Sequence, residues 1–66
     1  MKAYKILVHD DRERDPIEFA AEMAHDARAQ EFARQRLASS SHVAEIEVWR
    51  GHVMLCHLKS GQLRAA

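Results

Sequence analysis

The sequence predicts a small α+β domain in the order ββαββ, with one helix packed on a four-stranded, largely antiparallel sheet. Three observations point there. Toward both ends of the 66-residue chain, apolar residues alternate with polar ones, the two-residue period of half-buried strands. A stripe with helical spacing lies between them. Gly51 falls between the last two alternating runs, where a hairpin needs a residue that tolerates positive φ.

The first strand is predicted over 2–9, where Tyr4, Ile6 and Val8 alternate with Lys5, Leu7 and His9. It stops at Asp10-Asp11-Arg12-Glu13-Arg14-Asp15, a run of charges that favours a solvated connection over a binding tract.

The segment 16–24 supports two readings. Asp15-Pro16-Ile17-Glu18 resembles a helix start, and the following alanines favour helix. A single helix over 16–38, however, would set Glu31 and Arg34 on its buried stripe. The alternative is a strand over 17–23, in which Ile17, Phe19, Ala21 and Met23 alternate with Glu18, Ala20, Glu22 and Ala24. A helix over 26–38 then starts at Asp26 as its N-cap. Its stripe is Ala29, Phe32, Ala33 and Leu37, with Arg28, Glu31, Arg34 and Gln35 away from it. The split reading gives the cleaner apolar face and is preferred.

Ser39-Ser40-Ser41 ends the helix, because serines compete locally for backbone hydrogen bonds. A third strand over 43–49 sets Ala44, Ile46 and Val48 against Glu45 and Glu47 and ends at Trp49. The returning strand covers 53–59, and 60–66 is expected to be a frayed tail. Hairpin register decides which side chains face the helix. A two-residue loop at Arg50-Gly51 would set Val53 and Leu55 beside Ile46 and Val48. A three-residue loop, Trp49-Arg50-Gly51 with a glycine bulge, would set Met54, Cys56 and Leu58 there, and this longer inner set is favoured. Either register leaves two aliphatic residues of the last strand on the face away from the helix.

Length allows one domain, 1–66, with a core so small that oligomerisation is the expected stabiliser. Ten Lys and Arg offset ten Asp and Glu, which gives no long-range pull toward nucleic acid or an anionic membrane. The lone Cys56 has no partner within the chain, as expected of a reducing cytoplasm. Ile6-Leu7-Val8 is too short for an export signal, and no run reaches the length of a membrane span. The expected location is cytoplasmic.

Several segments carry a family likeness: Ile17-Glu18-Phe19-Ala20-Ala21, His25-Asp26-Ala27-Arg28-Ala29, Phe32-Ala33-Arg34-Gln35-Arg36-Leu37 and Ile46-Glu47-Val48-Trp49-Arg50-Gly51. Together they resemble a family of short proteobacterial proteins carried as a domain of unknown function. The resemblance covers nearly the whole chain. It implies the ββαββ fold, its Glu-Val-Trp-x-Gly hairpin included, and no established activity. His52, Cys56 and His57 depart from the plain core and surface residues expected after the glycine.

The residues offer little chemistry. Five histidines, His9, His25, His42, His52 and His57, invite a metal reading, but zinc needs three or four ligands converging on one point. His52 and Cys56 share a strand face roughly 13 Å apart at ordinary strand rise, so no metal or cofactor is expected. Cys56 reads as a small core residue rather than a nucleophile, and no phosphate loop or nucleophile elbow is present. No catalytic residue is assigned. Trp49, beside the turn, suits either a cap on the core or a contact with a flat ligand or partner. Arg28, Arg34 and Arg36 alternate with acids and read as a solvated helix face, which makes nucleic acid an unlikely partner. The favoured function is a non-enzymatic interaction module. It forms a homodimer, or meets another protein, through the sheet face away from the helix, with Leu7, Trp49, Val53 and Leu55 as candidate contacts. The alternatives are a small-ligand-binding protein using Trp49 on the same half-apolar face, or a weak nucleic-acid binder through the helix arginines.

Overall fold

A computed structural model of the chain describes residues 1–60. Its elements are β1 (Lys2–Asp10), β2 (Ile17–Met23), α1 (Asp26–Ala38), β3 (Val43–Arg50) and β4 (Val53–Lys59). The strands form one antiparallel sheet in the order β2-β1-β3-β4, with α1 on one face. This is the predicted ββαββ architecture, and 17–23 is strand. The tail expected over 60–66 lies, beyond Ser60, outside the described residues.

The alternation in β1 buries Tyr4, Ile6, Val8 and Asp10 toward the helix. Ile46 and Val48 of β3 join them, and Ala29, Ala33 and Leu37 of α1 close the core from above. Small alanines let the helix backbone approach the sheet, while Phe32 is half-buried at its margin. There the ring meets Phe19 edge-on, with centroids 6.2 Å apart.

Two bulges correct the expected pattern. Between β1 and β3 the register passes from His9–Glu45 to Asp10–Val43. The extra residue, Ala44, is exposed, so Val43 and not Ala44 is buried beside Ile46. A bulge inserts one residue and reverses the alternation beyond it.

The second bulge lies in the hairpin. Arg50 pairs with Val53, so the loop is Gly51-His52 rather than either predicted loop. Gly51 has φ 61°, the first-position glycine that suits a two-residue hairpin turn. Register then passes from Trp49–Met54 to Val48–Cys56, leaving Leu55 as the extra residue. Cys56 and Leu58 face the helix as the favoured register required, opposite Val48 and Ile46. Met54 does not. It stands opposite Trp49 on the other face and is 42% exposed.

The helix start is corrected as well. The N-cap is His25, in extended backbone, whose Nδ1 accepts the Arg28 N–H at 3.1 Å. Asp26 is the first helical residue. Its carboxylate accepts from the Tyr4 hydroxyl at 2.7 Å and from the Arg50 guanidinium, tying β1, α1 and β3 together.

Candidate functional site

Without a covering helix, the second sheet face is where binding was expected. Its polar side chains form columns that alternate from strand to strand between acidic residues and Lys or His. β2 presents Glu18 and Glu22, and β1 presents Lys5 and His9. β3 follows with Glu45 and Glu47, and β4 with His57 and Lys59. The side chains engage one another across the strands. His9 Nε2 and Glu47 Oε2 are 2.7 Å apart, as are His57 Nε2 and Glu45 Oε1. Lys5 lies 3.7 Å from Glu18. The His9 bond holds the Glu47 carboxyl below its usual range, helped by the Trp49 N–H and opposed by partial burial.

Trp49 is half-buried within this lattice. Its Nε1 donates to Glu47 Oε1 at 3.1 Å, and the Lys5 ammonium sits 5.8 Å from the ring centroid. Lys5 therefore occupies the position a flat ligand would take over the indole, with cation–π attraction in its place. Leu7 is half-buried between Glu18 and Glu47 on the same face.

Val53 and Leu55 are not brought to this surface. Val53 lies opposite Arg50, whose side chain reaches the helix, so it belongs to the helix side of the sheet and is 53% exposed at the hairpin end. Leu55 packs against the core because the bulge turns it to the side of Cys56. The face away from the helix is consequently more polar than the sequence suggested, with Leu7, Trp49 and Met54 as its larger apolar members.

A second partly covered apolar surface lies along β2, where Phe19, Ala21 and Met23 pack against the core and Ile17 is exposed. α1 packs over β3 and β4, and its contact with β2 is slight. A helix about 10 Å across spans roughly two strands spaced near 4.8 Å. The helix-side row of β2 is left partly open: Ile17 is 46% exposed, and Phe19, Ala21 and Met23 are half-buried. Among the described residues β2 pairs only with β1, which leaves its other edge without a strand partner there. The apolar period of this row is local to β2, whereas its exposure depends on where the helix lies across the sheet.

The remaining candidates are accounted for by their neighbours. Arg34 is held by Glu31 at 2.8 Å, while Arg28 and Arg36 are exposed on the helix. Burial pushes the Cys56 thiol up, away from the reactive thiolate. Among the described residues no three His, Cys, Asp or Glu side chains are placed to hold a metal ion, and no buried polar side-chain atom lacks a partner. Among them, too, no helix is long and apolar enough to cross a membrane. No family model, curated protein or solved structure matches the chain.

Proposed function

We propose that this chain is a non-enzymatic interaction module that self-associates through its sheet, a homodimer being the first species formed. The observation that carries this reading is the half-open apolar row Ile17, Phe19, Ala21 and Met23 beside the edge of β2 that has no strand partner among the described residues. An open strand edge flanked by apolar side chains is a template for another strand. The contact belongs to this edge rather than to the middle of the face holding Trp49, where His9 is bonded to Glu47 and Lys5 covers the indole.

Sedimentation equilibrium from about 5 to 500 micromolar tests the reading, a range that brackets a dissociation constant near 10 micromolar. Weight-average mass should rise across it. A monomer at every concentration would remove self-association and leave the edge to a different protein.

A further inference from the structure

The two edges of the sheet have opposite character on the uncovered face: β2 carries Glu18 and Glu22, and β4 carries Lys59 beside His57. Resting on the self-association reading, we propose that successive copies join head to tail, the β2 edge of one adding to the β4 edge of the next.

Three features of the fold converge on this mode. The first is direction. Antiparallel pairing throughout makes β2 and β4 run opposite ways, so a copy placed alongside in the same orientation meets its neighbour antiparallel, with both helices on one side. The second is charge. The alternation of acidic columns with Lys or His columns continues across a β4–β2 junction, where Glu18 of one copy, 3.7 Å from its own Lys5, lies beside Lys59 and the Glu45-bonded His57 of the next. A two-fold β2–β2 pair would instead bring two acidic columns together, and a β4–β4 pair two that carry Lys59; like charges opposed across strands are destabilising. The third is cover. Helix α1 lies toward the β4 side of its own sheet. A β2 strand added at β4 therefore slides its open apolar row under the flank of the neighbour's helix, beside Cys56 and Leu58. A β2–β2 pair leaves both helices distant from that row.

The Leu55 bulge interrupts the β4 edge, so pairing is confined to Cys56–Lys59 and each junction is weak. Head-to-tail contact is heterologous, and it does not stop at two copies unless the rotation closes a ring.

Charge reversal and mixing test the mode. Glu18 and Lys59 are both exposed, and circular dichroism checks that Glu18→Lys and Lys59→Glu keep the fold. Each variant alone should associate more weakly than the parent by on the order of tenfold, since like charges then meet at every junction. An equimolar mixture should regain association, because the reversed β2 of one variant matches the reversed β4 of the other. If either reversal unfolds the chain, Glu18→Gln and Lys59→Gln replace them, and each should weaken association and flatten its salt dependence. For the parent chain, mass should grow past the dimer and fall as salt rises from about 50 to 500 mM. Association that ends at an open two-fold dimer, ignores salt, or is not restored on mixing overturns the head-to-tail mode while leaving self-association standing. A monomer throughout overturns both.

Discussion

At the scale of single residues, two side chains carry more than the sequence suggested. His25 caps α1 through a ring nitrogen that accepts the Arg28 N–H, a role open only to the unprotonated nitrogen. His25→Ala should destabilise the chain by about 0.5–1 kcal/mol in urea titration, while His25→Asp, a stronger cap next to the helix dipole, should not. Asp10 is the second case. It is 8% exposed at the end of β1, where it accepts the Arg12 backbone N–H and is gripped by both guanidinium Nε and Nη2. The guanidinium bonds and then the backbone bond hold its carboxyl well below the usual range, against the opposing effect of burial. A carboxyl depressed in the folded state stabilises fully above its unfolded value and loses that contribution as pH falls through the folded one. Asp26 acts in the same sense, held low first by the Tyr4 hydroxyl. Stability should therefore decline on acidification below about pH 4. Asp10→Asn should be less stable at neutral pH and show a shallower acid slope, measured by thermal melts across pH.

At the scale of elements, the bulges and the turn determine what each strand face presents. Gly51 sits at φ 61° with open space where a Cβ would be. Replacement is thus opposed by backbone conformation and not by a clash. Gly51→Ala should cost about 1 kcal/mol and Gly51→Asn less, since Asn adopts the left-handed region more readily. Denaturant midpoints at an unchanged m-value would verify the order. In the core, Ile46 is fully buried between β1 and β4. Ile46→Val should cost about 0.5–1.5 kcal/mol by the same measurement, the usual result of removing one buried methylene.

At the scale of the whole molecule, one helix over four strands leaves the sheet unevenly covered. Association that covers the β2 row links stability to concentration. The midpoint of thermal unfolding should rise from about 5 to 500 micromolar, and a midpoint independent of concentration would show that the row gains nothing from a second copy.

The element order, the split at 17–23 and the helix stripe through Ala29, Ala33 and Leu37 were legible in the sequence, because periods of two and 3.6 reflect local geometry that each segment carries itself. Assignment of Cys56 and Leu58 to the helix side was legible too, from the length of the apolar set. Tertiary structure alone decided the bulges at Ala44 and Leu55, since an extra residue is absorbed only where two strands must stay in register with a third. It likewise decided the cap at His25, because Asp26 is drawn away by Tyr4 and Arg50 from distant strands. The exposure of Ile17 and the opposite character of the two edges belong to that same level. They depend on strand order and on where the helix lies across the sheet, and neither is a property of any one segment.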